Sequence, residues 1–240
     1  MTFSQLLHAV RQNPQEMVIP SVWGQGRAGF GGLAVALVFE AMRAKVPAGR
    51  PLRSLAVTFV GPLVLDAPVS FEAEVLREGK AVSQVLGRAL QDGQVVTLVQ
   101  GSFGASRASA IDVPALPAPA MKPVAECQEL PYIKNVTPEF TRYLAMRWGE
   151  GGMPFSNNQS RHMGGWVRLR DHDAQEALQE AHLLALVDAW PPAVLPHLKA
   201  PAAGSSLTWT IEFVQPFPAL SSEDWCLYQA EVEHARDGYG

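Results

Sequence analysis

Cysteine is scarce in this sequence, and a strong net charge is absent. The 240 residues include two cysteines, Cys127 and Cys226. Two cysteines provide neither a disulfide framework nor the spacing of a cysteine-rich metal site, so a reducing compartment fits the composition best. The formal net charge is -4 at pH 7. This mild acidity argues against nucleic acid as the main partner, because phosphate binding favours a basic surface.

Long apolar runs are also lacking, as is an export signal. The longest runs, Leu33–Phe39 and Leu183–Val187, are well short of the roughly 20 residues that a membrane span needs. The opening sequence MTFSQLLHAVRQN contains no cationic segment followed by an apolar one, so no signal peptide is predicted. These absences together predict a cytoplasmic protein without a membrane partner.

Several catalytic and cofactor motifs are missing or incomplete. No Gly-x-Ser-x-Gly sequence is present, so a serine hydrolase is not indicated. Gly24, Gly26 and Gly29 match Gly-x-Gly-x-x-Gly, but the strand and alternating βαβ pattern of a dinucleotide site are not predicted around them. We expect these glycines to let the backbone approach a ligand at the start of a helix. The six histidines form no metal-ligand pattern, so neither a metal nor a cofactor is predicted.

An internal repeat is the most informative feature that is present. The sequence FVGP at 59–62 recurs as FVQP at 213–216, and FEAEV at 71–75 recurs as YQAEV at 228–232. The two matches have the same order, and each copy follows an almost wholly apolar segment with helical composition. The helices are predicted at Leu33–Ala44 and Ala177–Trp190. We interpret this arrangement as a tandem duplication.

Runs with strand composition follow the first helix, and two turn sequences connect the last three of them. The turns are Glu78-Gly79-Lys80 and Asp92-Gly93, which are typical of β-hairpins. The strands are predicted at Leu52–Val64, Val69–Arg77, Ala81–Gln91 and Gln94–Phe103 in the first half, and at Phe140–Trp148, Arg161–Arg170, Ser206–Val214 and Trp225–His234 in the second. A short helix is predicted at Phe3–Arg11, and Asp171–Asp173 is expected to cap the second apolar helix. This pattern predicts an α+β fold in which an antiparallel meander wraps around each buried helix.

Domain boundaries follow from the repeat and from a Pro/Ala-rich stretch. We predict an N-terminal unit at residues 1–108, a linker at 109–138 and a C-terminal unit at 139–240. After Val75 the first copy continues for 28 residues to Phe103, whereas eight residues follow Val232. By comparison, about two strands of the second copy are missing. A shortened sequence, completion by another chain, or a mistaken repeat would each account for this difference.

Asp188 is a carboxylate in the middle of the apolar segment HLLALVDAWPPAV. Burial and the negative end of a helix would both raise its pKa, which suits a general base. The alternative is a structural aspartate that bonds loop amides or pairs with an arginine. His182 lies six residues earlier, about 240° around the helix, so a His–Asp dyad is not favoured.

Several stretches resemble a known family. LLALVDAWPPAV and SSLTWTIEFVQPFPALSSEDWCLYQAEVEHA resemble the C-terminal half of the acyl-CoA thioesterase II family, and FGG at 30–32 and QDGQVVTLVQGSFGA at 91–105 resemble its N-terminal half. The resemblance implies a tandem (double) hot-dog fold with two long central helices, each wrapped by an antiparallel β-meander. It also implies hydrolysis of acyl-CoA thioesters in fatty acid metabolism, with CoA as part of the substrate and no other cofactor. Exposed sheet edges commonly pair in this fold, so we expect a homodimer.

The family resemblance also implies site residues. Its water is held among an aspartate, a hydroxyl residue and a glutamine; the first two correspond to Asp188 and Ser206, and the glutamine would lie beyond Gly240. Phe30, Gly31 and Gly32 are expected to bind substrate.

Two alternatives stay open at this point. Single-domain hot-dog thioesterases carry Asp or Glu on the helix after His-Gly-Gly, so Glu40 is an alternative base, although Phe30 stands at the histidine position and Glu40 comes one residue late. A non-catalytic acyl- or CoA-binding scaffold on the same fold is the alternative function.

Overall fold

The structure of the chain is a computed structural model that describes residues 1–170, 177–221 and 223–240. Within these residues there are three α-helices: α1 (Phe3–Gln12), α2 (Gly31–Arg43) and α3 (Glu180–Val187). The strands are β1 (Met17–Val18), β2 (Gly24–Gln25), β3 (Ala28–Gly29), β4 (Leu52–Phe59), β5 (Pro68–Glu78), β6 (Val82–Gln91), β7 (Gln94–Gly104), β8 (Gln128–Leu130), β9 (Leu144–Glu150), β10 (His162–Leu169), β11 (Thr208–Glu212) and β12 (Cys226–Glu231). The predicted α+β class with antiparallel sheets is confirmed.

The larger sheet contains the first-half meander and one strand from the second half. Its order is β1-β5-β6-β7-β4-β11, and every neighbouring pair is antiparallel. The pairing of β11 with β4 runs from Thr208 opposite Thr58 to Glu212 opposite Ser54. The smaller sheet has the order β12-β10-β9-β8. The two halves therefore share a continuous sheet through β4 and β11.

Helix α2 is the centre of the first half. Every residue from Gly32 to Met42 is buried, because the segment is apolar around its whole circumference and the meander curves around it. Glycines on the facing strands permit this approach: a Cβ atom on Gly87 would lie 2.5 Å from Val38 Cγ1, and one on Gly101 would lie 2.7 Å from Met42 Cε. Side chains at these two strand positions would force the helix away from the sheet.

The prediction of two long central helices is wrong for the second half. Helix α3 has eight residues, or about 12 Å at the rise of an α-helix. The segment before it is extended, because Leu178 N–H donates to Leu220 O at 2.9 Å and Ala177 forms an isolated bridge with Ser221. The helix begins only after Gln179, whose backbone N–H donates to His182 Nδ1 in the first turn. The prediction from continuous apolar composition therefore overestimated the length of α3.

Other element boundaries also differ from the predictions. The strand expected at Phe140–Trp148 begins as a 3₁₀ helix at Glu139–Tyr143, directly after Pro138. The expected linker includes β8, which pairs with β9. The predicted helix cap at Asp171–Asp173, together with His172, lies outside the described residues.

A groove lies between β11 and β12 over one face of α3. In the first half, the hairpin β6–β7 separates β5 from β4. In the second half, β12 contains the repeat's counterpart of β5, and β11 contains the counterpart of the end of β4. The described part of the chain places no strand between β12 and β11. A groove of about 250 Å³ takes that place. Val187 of α3, which lines it, is 42% exposed.

An ion pair joins all three helices. Arg11 of α1 donates from Nε and Nη2 to the two carboxylate oxygens of Glu40, at 2.6 Å and 2.9 Å, and from Nη2 to Gln179 Oε1 at 3.0 Å. Glu40 is 5% exposed and lies in the last turns of α2, whereas Gln179 is the N-cap of α3. The guanidinium group therefore attaches the end of α2 to the beginning of α3.

We predict that Arg11→Met destabilises the protein. The substitution leaves the Glu40 carboxylate buried without its cation, which typically costs about 3 kcal/mol or more. The free energy of unfolding in urea should fall by that amount. Lys45→Met removes an exposed cation just after α2 and should change it by less than about 0.5 kcal/mol. Equal effects of the two substitutions would contradict the structural importance of the pair.

Candidate active site

Asp188 caps the C-terminal end of α3 and contacts the N-terminal end of α2. Its backbone has φ -87° and ψ -4°, and its Oδ2 accepts a hydrogen bond from the Gly32 N–H at 2.7 Å. The backbone N–H groups of a helix's first turn have no partner within the helix, so the carboxylate satisfies one of them. With Arg11 joining the opposite ends, α2 and α3 pack antiparallel and are connected at both ends.

Two consecutive glycines make room for this carboxylate. A Cβ atom on Gly31 would lie 2.9 Å from Asp188 Oδ2 and 3.0 Å from Phe59 Cε1. A Cβ atom on Gly32 would lie 2.9 Å from Asp188 Cβ and 3.0 Å from Ala185 O. Any larger residue at either position would push α3 away from α2. The Gly-Gly pair in the sequence is therefore a requirement of the close approach of the two halves.

The Asp188 carboxylate opens on a cavity of about 770 Å³. Both halves of the chain contribute to its walls. The lining includes Gly31, Phe59, Leu63, Asp188, Trp190, Ser206, Trp209 and Tyr228. The Oδ1 atom of Asp188 makes no hydrogen bond to any residue that the structure describes, so it is available to a molecule in the cavity.

Burial controls the protonation of Asp188. Removal of the carboxylate from water raises its pKa from 3.8 to about 7, and the hydrogen bond from Gly32 N–H partly opposes this shift because it favours the charged form. A carboxyl group with this pKa is partly ionised at neutral pH. It can therefore accept a proton and release it again under the same conditions.

The other predicted site residues lie in different environments. Ser206 lines the same cavity, on the exposed segment before β11. Gly31 also lines the cavity, and Gly32 binds Asp188. Phe30 is fully buried and stacks on Phe140, with ring centroids 4.0 Å apart and planes at 2°. It is the N-cap of α2, directly before Gly31, and is not part of the cavity wall.

Glu40 and His182 both lie at the opposite end of the helix pair from Asp188. Glu40 is held by Arg11 and does not line the cavity, which favours a structural role over that of a base. The Nδ1 atom of His182 accepts the Gln179 N–H at 3.0 Å, and its ring packs 5.3 Å from that of Phe3. The histidine thus stabilises the beginning of α3.

Sequence reasoning did not identify two aromatic residues beside Asp188. Trp190 and Tyr228 both line the cavity, and their rings stack at 4.9 Å with an angle of 4°. Trp148 contacts the indole of Trp190 as well, at 5.1 Å and 47°. Tyr228 belonged to the repeated YQAEV sequence, but 40 residues separate it from Asp188 and no spacing rule indicates that they meet.

Metal-binding clusters and membrane-spanning helices are both absent from the described part of the chain. The described residues contain no cluster of three His, Cys, Asp or Glu side chains arranged to bind a metal ion. None of the helices in the described part of the chain is long and apolar enough to cross a membrane.

The fold has clear structural relatives. A conserved protein of unknown function with a hot-dog fold from Alicyclobacillus acidocaldarius is 23% identical, with a TM-score of 0.69 over 86% of this chain and 78% of that chain. The acyl-CoA thioesterase II TesB2 from Mycobacterium marinum is 18% identical, with a TM-score of 0.68 over 93% and 82%. The TesB protein of Mycobacterium avium subs paratuberculosis is 17% identical, with a TM-score of 0.64 over 96% and 88%. At these identities the likeness shows a shared hot-dog fold.

Family models define the class more closely. The model of the acyl-CoA thioesterase N-terminal domain matches residues 19–104, and that of the C-terminal domain matches residues 119–240. No curated protein sequence matches the chain. The matches of both halves to acyl-CoA thioesterase domains define a thioester hydrolase. The chain belongs to the acyl-CoA thioesterase family, as the resemblance in its sequence indicated.

The raised pKa of Asp188 predicts a specific pH dependence of stability. Because the pKa in the folded protein, about 7, exceeds the unfolded value of 3.8, the folded protein retains a proton that the unfolded chain releases between these values. The stability contributed by the protonated group is fully present below 3.8 and is lost as pH rises through about 7. Each pKa unit corresponds to about 1.4 kcal/mol, so the expected loss is a few kcal/mol.

Urea unfolding from pH 4 to pH 8 would measure this loss. Asp188→Asn keeps an acceptor for Gly32 N–H but cannot ionise. The wild type should therefore lose unfolding free energy relative to this variant as pH rises. The exposed Asp112 offers a control, and Asp112→Asn should follow the wild-type curve. Parallel curves for wild type and Asp188→Asn would contradict the raised pKa.

Proposed function

We propose that the protein hydrolyses acyl-CoA thioesters to free acid and CoA, with Asp188 as the general base. The observation that supports this most strongly is the environment of that carboxylate. It has a pKa near neutrality, one oxygen held by a backbone N–H, and its side chain opens on a cavity built from both halves of the chain. These are the properties expected of a group that takes a proton from water at neutral pH.

The reaction requires one base and one polarising group. Oδ1 of Asp188 accepts a proton from water as the water oxygen attacks the thioester carbonyl carbon. The tetrahedral intermediate collapses with cleavage of the carbon–sulfur bond, and the departing thiolate takes the proton back from the carboxyl group. Asp188 is then ready for the next turnover, and the products are a carboxylic acid and the CoA thiol.

The first turn of α2 is suited to the charge that develops on the carbonyl oxygen. Its backbone N–H groups carry the positive end of the helix dipole, and Gly31 brings this turn to the cavity surface without a side chain. Donors placed at a developing oxyanion commonly contribute about 10²-fold or more to the rate. Ser206, on the same cavity, would help orient the attacking water.

The alternative function is a non-catalytic acyl- or CoA-binding scaffold. The open groove between β11 and β12 favours it, because no strand among the described residues covers that face of α3. Under this alternative, acyl-CoA would bind without release of thiol. The homodimer, the cytoplasmic location and the role in fatty acid metabolism stay predictions.

Thiol release from a series of acyl-CoA chain lengths tests the proposal. The wild-type kcat should rise with pH and level off above about 7, because the base must be ionised. Asp188→Asn should lower kcat by about 10²-fold or more, since general-base catalysis typically contributes this much.

Glu40→Gln is the matched control for the alternative base. It should leave the pH profile of thiol release unchanged, because Glu40 is remote from the cavity. Thiol release by Asp188→Asn at the wild-type rate would refute the assignment of the base. Binding of acyl-CoA without any turnover by the wild type would support the scaffold.

A further inference from the structure

We propose that Tyr228 is a catalytic residue of this site, whose hydroxyl group donates a hydrogen bond to the thioester carbonyl oxygen. The inference rests on the proposed function, since it assigns a partner to the group on which the Asp188-activated water acts. It adds a residue that neither the repeat nor the family resemblance indicated.

The position of Tyr228 is determined by its neighbours on the smaller sheet. It lies in β12 opposite Gly165 of β10. A Cβ atom on Gly165 would lie 2.9 Å from Trp190 Cη2, so the glycine leaves space for the indole beside the strand. Trp190 fills that space and stacks on the Tyr228 ring. The tyrosine therefore has a fixed ring plane.

The same stack connects Tyr228 to the general base. Trp190 follows Asp188 by two residues, just after the end of α3, and Trp148 contacts its indole ring at a tilt of 47°. The stacked pair of Trp190 and Tyr228, with Trp148 tilted against the indole, thus attaches β12 to the helix end that carries the carboxylate. Asp188 and Tyr228 line the same cavity, and there is no hydrogen bond between their side chains. Asp188 is close enough to Tyr228 for its charge to act on the phenol.

The Tyr228 hydroxyl has the properties of a hydrogen-bond donor to substrate. Within the described part of the chain it makes no hydrogen bond, so it is available to a molecule in the cavity that Tyr228 lines. Burial raises the pKa of Tyr228, and the nearby Asp188 charge raises it further. The phenol therefore stays protonated throughout the pH range in which Asp188 ionises, and donates a hydrogen bond without transferring its proton.

This role differs from that of Ser206. The serine belongs to an exposed segment without regular structure, whereas the tyrosine is held by a stacked ring. A donor in a fixed position stabilises developing charge more effectively, because it needs no reorganisation during the reaction. We therefore expect loss of the tyrosine hydroxyl to slow the reaction more than loss of the serine hydroxyl.

The test compares Tyr228→Phe with wild type, Ser206→Ala and Tyr239→Phe in the thiol-release assay. Tyr228→Phe keeps the stacked ring and removes only the hydroxyl group. It should lower kcat by about 10- to 100-fold, more than Ser206→Ala does, with a smaller change in KM. Tyr239 is 71% exposed, so Tyr239→Phe makes the same chemical change elsewhere and should leave kcat unchanged.

A thioether analogue of the substrate, S-alkyl-CoA, separates this role from a packing role. The analogue lacks the carbonyl oxygen, so it should inhibit Tyr228→Phe at the same concentration at which it inhibits the wild type. An unchanged kcat, or a parallel loss of thioether affinity and kcat, would overturn the proposal. Asp188→Asn tests the proposed function separately: if it loses activity while Tyr228→Phe does not, only the role of Tyr228 fails.

Discussion

The hydrogen bond from Gly32 N–H to Asp188 Oδ2 is the contact on which the organisation of the site depends. It joins residues 156 positions apart at 2.7 Å and holds the beginning of α2 against the end of α3. Only glycine at positions 31 and 32 permits the contact, because a Cβ atom at either position would overlap Asp188. The cavity forms around this junction, so both halves of the chain are needed to build the site.

The helix pair contains two carboxylates with opposite electrostatic environments. Glu40 has a bidentate arginine, which compensates its charge and makes it a structural connection between helices. Asp188 has one backbone N–H, which is too little to offset the cost of burial, so its pKa rises to about 7. The difference gives Glu40 a structural role and leaves Asp188, whose burial is only partly compensated, as the carboxylate suited to accept a proton.

Sequence patterns predicted some features well and others poorly. The helix–meander order of the first half, the turns at 79 and 93, and the burial of most of the segment before Asp188 follow from local composition, and the structure has all of them. The length of α3 was overestimated, since apolar composition does not distinguish a helix from the extended residues 177–179 that bond to Leu220 and Ser221. The strand β8 was predicted as linker because its pairing with β9 involves residues that are distant in sequence.

The sequence by itself determined the α+β class and the presence of one unusual carboxylate, because periodicity, turn residues and a charge in an apolar segment are local properties. The tertiary structure alone decided which carboxylate is neutralised and which opens on a cavity. Arg11 reaches Glu40 across 29 residues, and the stack of Trp190 and Tyr228 forms beside Asp188 only when β12 pairs with β10. Such contacts depend on the packing of whole elements, and so do the pKa of the base and the position of its neighbours.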